Sequence, residues 1–436
     1  MRVAVQTFGC RLNQAESERM AADFAAAGCR VVPASAAAEV VVIHGCAVTQ
    51  VAAQESRQAA RRAKRRAQAA GRPEPLVVLV GCVVEADGRV PVVPEVDLLV
   101  SREEKERLAP LVLARLGQEG APVAVSAAPA RRRTRALLKV QDGCNFGCAY
   151  CIVPHTRGAP VSRPWQQVLD EARARAAAGF SEIVVTGCNL ACYRDGSRGL
   201  VELLAALAEL PEAPRIRLGS IEPATVEREV VGLMAGSGRI CHFLHLPLQS
   251  GDGGVLRRMG RRYTPEAYYE TVQALLHRLP RLGLGTDLLT GFPGETPEAF
   301  ERTRELFGAL PFSKVHVFPY SERPGTPAAA FADAVPPPLR KARARALTRL
   351  GAAGREAYAR QWIGRPVELL IEGVDAAGNG HGWSGEYLAC RVAGVAPEAR
   401  GQILSFTPQD VAPGGVLLGA GAQPVSPRRM RSSSHE

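Results

Sequence analysis

The chain lacks a long hydrophobic run. No stretch of about 18 consecutive apolar residues occurs in its 436 residues, so no membrane-spanning helix is expected. No export signal is expected either, because Met1-Arg2-Val3-Ala4-Val5 runs straight into a strand pattern. Without export, eleven cysteines are not a disulfide framework, and metal or redox chemistry in the cytosol becomes the expectation. Acidic residues are short as well. The 43 Asp and Glu stand against 54 Lys and Arg, and the net charge of +11 favours a polyanionic partner such as RNA. The length suffices for two or three domains.

What the chain does have is Cys144-Asn145-Phe146-Gly147-Cys148-Ala149-Tyr150-Cys151. Three thiolates on one short loop suit an iron–sulfur cluster, which usually takes four such ligands. With only three, one iron stays open for a substrate or cofactor. Structural cysteines, a disulfide or zinc are the alternatives, but zinc sites favour paired CxxC units and no matching fourth ligand lies nearby.

Three earlier segments share one design. Residues 3–10, 40–46 and 76–82 each read as a strand ending in Gly-Cys, and Cys10, Cys46 and Cys82 follow at intervals of 36 residues. That interval fits one strand plus a crossover helix. Near-continuous Val/Ile/Leu runs are those of a parallel sheet covered on both faces. Right-handed crossovers then bring all three strand ends to one edge, where open α/β sheets bind ligands. Three thiols there make a second candidate cluster site. Small buried cysteines suited to tight turns are the plainer reading of any one of them. Between the second and third strands, residues 54–66 form a helix with a strongly basic face, either solvated or turned to RNA. Residues 121–135, rich in alanine, proline and arginine, read as a linker.

From residue 136 onward, six strand candidates alternate with alanine- and leucine-rich helices, which argues for a barrel or partial barrel of parallel strands. Short motifs follow the strands, where a barrel carries its active site. They include Thr186-Gly187-Cys188-Asn189, Ser220-Ile221-Glu222-Pro223, Leu246-Pro247-Leu248-Gln249-Ser250-Gly251 and Gly291-Phe292-Pro293-Gly294-Glu295-Thr296. A basic helix begins near Leu339. The last segment breaks into short strands split by glycine and proline turns, as in a small β-barrel. There Trp362, Trp383 and Tyr387 either stack on bases or fill a small core. Residues 426–436 read as a polar, disordered tail.

The CxxxCxxC spacing, with Tyr150 before its last cysteine, resembles the radical S-adenosylmethionine (SAM) superfamily. Taken with the three Gly-Cys strand ends and the terminal β-segment, the whole order resembles the methylthiotransferases of that superfamily. Thr7-Phe8-Gly9-Cys10-Arg11-Leu12-Asn13, Gly45-Cys46-Ala47-Val48-Thr49, Val153-Pro154-His155-Thr156-Arg157-Gly158 and His245-Leu246-Pro247-Leu248-Gln249-Ser250-Gly251 carry the likeness. It implies an α/β chain with a flavodoxin-like N-terminal domain (1–120), a partial (β/α)6 radical SAM barrel (130–358) and a C-terminal TRAM RNA-binding β-barrel (361–424). It implies two [4Fe-4S] clusters, one on Cys144, Cys148 and Cys151 that binds and cleaves SAM, and an auxiliary one on Cys10, Cys46 and Cys82. Tyr150, Gly187, Asn189, Glu222, Gln249, Gly291, Gly294 and Glu295 would line the SAM pocket.

The implied partners are a tRNA anticodon stem-loop, a flavodoxin or ferredoxin as electron donor, and a sulfur source, with no membrane. The likeness is strongest to the branch that places a methylthio group on C2 of N6-threonylcarbamoyladenosine at position 37. Residues 138–144, Ser220-Ile221-Glu222-Pro223 and residues 318–326 point to that branch. The other branches act on isopentenyladenosine in tRNA or on an aspartate of a ribosomal protein, and a non-catalytic RNA-binding iron–sulfur protein is the alternative of another class. Two departures stand out. His44-Gly45 replaces Asn-Thr before the second cysteine, and the loop after Thr186 carries the extra cysteines Cys188 and Cys192. His44 reads as a group tuning the cluster or as an ordinary strand-end histidine.

Overall fold

The computed structural model describes residues 1–86, 93–118, 133–211 and 214–425. Most of the expected linker (121–132) and the expected tail (426–436) lie outside the described residues. The chain divides into two compact units. The first is Met1–Arg131 with Asp142–Val161 and Ser321–Ala330, and the second is Arg132–Gln141, Ser162–Tyr320 and Phe331–Glu436. The triple-cysteine loop thus belongs to the same unit as the three strand-end cysteines.

In the first unit, β1 (Arg2–Thr7), β2 (Arg30–Val32), β3 (Val40–Gly45), β4 (Leu76–Gly81) and β5 (Leu98–Val100) pair in parallel in the order β2-β1-β3-β4-β5. This is the flavodoxin-like order, whose crevice opens between β1 and β3. The continuous apolar runs are explained by two faces. On one, Val40, Val42, Val78 and Val80 pack against Met20 and Phe24 of helix α1 (Arg11–Ala26). On the other, Ile43, Val77 and Leu79 pack against Ala53, Ala59 and Ala60 of helix α2 (Gln50–Ala69). Thr49 caps α2 by accepting from the Ala52 N–H at 3.2 Å.

The second unit contains six parallel strands, β6 (Arg135–Lys139), β7 (Glu182–Thr186), β8 (Arg215–Leu218), β9 (Phe243–His245), β10 (Gly283–Thr290) and β11 (Phe312–Pro319). They form two three-stranded sheets in chain order, with bridges Ile216–Ile240 and Ser220–His245 spanning the join. Leu284 and Leu288 of β10 face the helix-side core with Val272, Leu275 and Leu347, so Gly285 and Asp287 face the interior of the partial barrel. Helices Pro265–Arg278 and Pro297–Gly308 each start with threonine as cap and proline in the first turn.

The C-terminal segment is a seven-stranded sheet running from Asp410–Ala412 at one edge to Gln423–Pro424 at the other. It is antiparallel except where Ala389–Ala393 pairs with Val416–Ala420. Among the described residues its hydrogen-bonded ladder is open at the two edges, and the sheet folds around Leu369, Ile371, Val392, Leu404 and Trp362.

Its tip covers the N-terminal ends of the barrel strands. Arg217 donates to the Ser384 and Gly385 carbonyls at 2.7 and 3.0 Å, and Arg215 donates to the Trp383 carbonyl at 3.2 Å. Fully buried Glu182 lies 2.8 Å from Arg217 and 2.6 Å from Arg215. Burial would raise that carboxyl, but the two guanidiniums outweigh it and hold it at about 2. A side chain on Gly283 would strike the Glu386 carbonyl. Tyr387 is buried in these contacts and Trp362 in the core of the sheet, so of the two roles expected for them the structure gives core filling rather than base stacking.

Candidate functional site

The three strand-end cysteines converge because their glycines let them. Gly9 has φ +94°, and a Cβ there would lie 2.5 Å from Cys46 Cβ and 2.6 Å from its sulfur. Gly81 has φ +100°, and a Cβ there would meet the His44 ring at 2.4 Å. Only glycine permits both the left-handed turn and the close approach. Cys10 stands at the start of α1, and Cys82 opens the short helix α3 (Cys82–Glu85). Burial pushes the Cys46 thiol up to about 11, and the neighbouring Cys10 and Cys82 add to the rise. Three thiols gathered at one sheet edge suit a positively charged centre, which thiolates bind. The donor set is all sulfur, which fits an iron–sulfur cluster better than a hard metal ion.

The second cysteine loop is held within the same unit. The Cys144 N–H donates to the Gly158 carbonyl at 3.0 Å, and the Cys151 N–H to the Cys148 carbonyl at 3.0 Å. Gly143 has φ +71°, and a Cβ there would sit 2.0 Å from the Ala159 carbonyl oxygen. Ala328 N–H reaches the Ala149 carbonyl at 2.9 Å. Cys144, Cys148 and Cys151 are each half-buried.

A buried charge network joins the two cysteine sets. Arg157, in helix α4 (Val153–Arg157) after the second loop, donates to both carboxylate oxygens of Glu16 at 3.2 Å. It also donates to Asn13 Oδ1 at 2.5 Å and Asp142 Oδ1 at 2.8 Å. Asn13 donates in turn to the Phe8 and Gly45 carbonyls, beside Cys10 and Cys46. Lys105 bridges Glu16 and Asp142 at 2.7 and 3.3 Å. His44 lies in the same network, with Ser17 Oγ 2.9 Å from Nδ1 and Glu16 3.3 Å from Nε2. Burial depresses its pKa more than Glu16 restores it. Asn13 and Arg157 stood inside quoted motifs, yet nothing along the chain pairs them with Glu16 or Lys105.

The other expected SAM-pocket residues lie in the second unit, except Tyr150, which is in the cysteine loop. Gly187 lets Gln141 approach, since a Cβ would lie 2.9 Å from Gln141 Oε1, and that oxygen accepts the Asn189 N–H at 3.0 Å. Asn189 Oδ1 caps the turn Leu190–Cys192, while its buried Nδ2 has no hydrogen-bond partner. Gln249 adopts φ +62°, unusual for a non-glycine, and is fixed by backbone bonds to Asp287 and Leu289.

The two carboxylates have structural partners. Glu222 is paired with Arg261 at 2.7 Å. Glu295 accepts the Gly291 N–H at 2.9 Å and faces Arg343 at 2.5 Å, so it shapes the glycine turn from behind. Gly291 and Gly294 both have positive φ and admit Arg340 and Asp333 against the turn.

Two family models match. Residues 138–307 match the radical SAM superfamily, and residues 2–101 match the uncharacterized protein family UPF0004. The chain is 34% identical over 387 residues to the threonylcarbamoyladenosine tRNA methylthiotransferase MtaB of Bacillus subtilis, covering 85% of this chain and 84% of that one. It belongs to the MtaB-type methylthiotransferase family. The MtaB of Aquifex aeolicus is 32% identical, covering 85% of this chain and 93% of that protein. Among solved structures, the radical SAM methyltransferase TsrM of Kitasatospora setae matches at a TM-score of 0.56 and 16% identity. It covers 75% of each chain and shares the fold. Membership in the radical SAM superfamily brings a [4Fe-4S] cluster and SAM.

Proposed function

We propose that this chain adds a methylthio group to C2 of N6-threonylcarbamoyladenosine at position 37 of tRNA, beside the anticodon. The observation that carries the reading is the joining of two sets of three thiols in one compact unit through Arg157 and Glu16. It is supported by the 34% identity to an enzyme named for that substrate. When bound, a cluster with SAM at Cys144, Cys148 and Cys151 supplies a radical able to break an unactivated aromatic C–H bond, and an auxiliary cluster at Cys10, Cys46 and Cys82 supplies a seat for sulfur.

The chain's own residues do the rest. The thiols hold the clusters, the glycine turns keep backbone clear of them, and Arg157 fixes the two loops against each other. Tyr150, Gly187, Asn189, Glu222, Gln249, Gly291, Gly294 and Glu295 bind or shape the pocket for SAM. On α2, Arg61, Arg62, Arg65 and Arg66 are exposed and offer a face to RNA phosphates. A flavodoxin or ferredoxin delivers the electron, and a separate donor replenishes sulfur. Among the described residues no helix is long and apolar enough to cross a membrane.

Mass spectrometry of tRNA nucleosides from a strain lacking the gene tests this. The 2-methylthio derivative of threonylcarbamoyladenosine should vanish, return with a plasmid copy, and stay absent with Cys46→Ala. An unchanged nucleoside would rule out the assignment and direct attention to isopentenyladenosine and the ribosomal protein.

A further inference from the structure

The interior wall of the partial barrel carries a polar cluster that the mechanism above does not use. Ser220, after β8, places Oγ 2.8 Å from His245 Nδ1 at the end of β9. His245 Nε2 lies 3.2 Å from Asp287 Oδ1 on β10. That approach is off the line of a hydrogen bond, and the buried Nε2 has no hydrogen-bond partner. Asp287 pairs in register with His316 on β11, and one ligand atom from each of His245, Asp287 and His316 lies within 4.8 Å of the others. The His245 and His316 ring centroids are 6.1 Å apart.

The cluster is built rather than incidental. Gly285, the register partner of His245 on β10, has no side chain where a Cβ would come within 2.8 Å of the imidazole. The cluster is graded from buried His245 through half-buried Asp287 to exposed His316, so a ligand can enter from the His316 side. Along β11, Lys314 and Phe318 share the face of His316, because alternate residues of a strand point the same way. The Lys314 ammonium lies over the Trp383 and Tyr387 rings at 4.4 and 4.7 Å, which puts positive charge deeper on the same wall.

We infer that His245, Asp287 and His316 form a specificity site for a substrate arm bearing both hydrogen-bond donors and a carboxylate. This rests on the functional reading above, in which the arm is threonylcarbamoyl. Imidazole N–H groups can donate to a carboxylate or carbonyl, and the Asp287 carboxylate can accept from a hydroxyl or amide N–H. An apolar prenyl arm in the same place would strip water from these groups and leave them unpaired, which is the strongest form of discrimination a pocket has. Two imidazoles and a carboxylate are also the donor set of a divalent cation, so the test separates the two ligands.

The experiment uses the cluster-loaded, full-length protein with two tRNAs that differ only in the arm on adenosine 37, threonylcarbamoyl or isopentenyl. His316→Phe should raise KM for the threonylcarbamoyl tRNA about tenfold, the loss expected when a hydrogen bond to a charged group is removed. Its kcat should change far less. His316→Gln, which keeps a donor, should recover most of the affinity. Iron content and circular dichroism report whether each variant has loaded and folded. An unchanged KM in a folded His316→Phe overturns the inference while the functional reading stands. If the unaltered protein turns over no threonylcarbamoyl tRNA, the functional reading itself fails and the inference with it. A stoichiometric metal beyond cluster iron that is lost in His316→Phe makes the site a cation site and overturns the specificity role.

Discussion

Arg157 and Glu16 face each other as a two-point pair, both guanidinium nitrogens at 3.2 Å from the two carboxylate oxygens, across 141 residues of chain. One belongs to the helix after the CxxxCxxC loop and the other to the helix that starts at Cys10. The spacing of the two cysteine sets is thereby held by a planar two-point contact rather than by loop length alone.

Replacing Arg157 with methionine should do more than weaken packing. Both side chains are buried, and the change leaves Glu16 with Lys105 as its remaining countercharge, at a cost on the order of 1–3 kcal/mol. The thermal midpoint of the iron-free protein should fall accordingly. Arg157→Lys keeps the charge but loses the fork. It should fold and bind iron, yet lose most product formation while SAM cleavage persists. Equal loss of both activities in the lysine variant would mean that the fork does not couple the two sites.

Gly9→Ala makes a sharper cut. Its Cβ would overlap Cys46 at a backbone angle that alanine resists. The protein should keep the iron held by Cys144, Cys148 and Cys151 and lose the rest, so iron per chain should drop to about half of the loaded value if each site holds a cluster of one type. Full iron in Gly9→Ala would show that the turn relaxes around a methyl group.

The Gly-Cys strand ends were legible because the requirement is local: an apolar run, a glycine that permits the turn, and a thiol at fixed spacing. The shared direction of β1, β3 and β4 follows from the same spacing and the handedness of crossovers. Nothing local marks Glu16 as the partner of Arg157, since a carboxylate within a helix reads as a solvated face. His316 was equally hidden, its neighbours being set by the Asp287–His316 register and the curvature of the strands. Tyr387 of the last domain satisfied two readings from sequence. Burial of Tyr387 against Phe243 and Arg217 decided between them.

The last prediction concerns Arg215, Glu182 and Arg217, the charges buried where the C-terminal sheet covers the barrel. The folded state holds the Glu182 carboxyl at about 2, below its ordinary 4.5. A depressed carboxylate contributes stability that is present above the ordinary value and is lost as pH falls from there through about 2. The shift corresponds to on the order of 3 kcal/mol. Glu182→Gln removes the charge and leaves two buried guanidiniums facing a neutral amide, which should destabilise the protein at neutral pH by a similar or larger amount. Urea unfolding followed from pH 7 to pH 3 checks both points. The unaltered protein should lose stability as acid is added, and the difference between it and Glu182→Gln should shrink over the same range. A difference that stays constant with pH would mean that the carboxylate is not the titrating group that secures this contact.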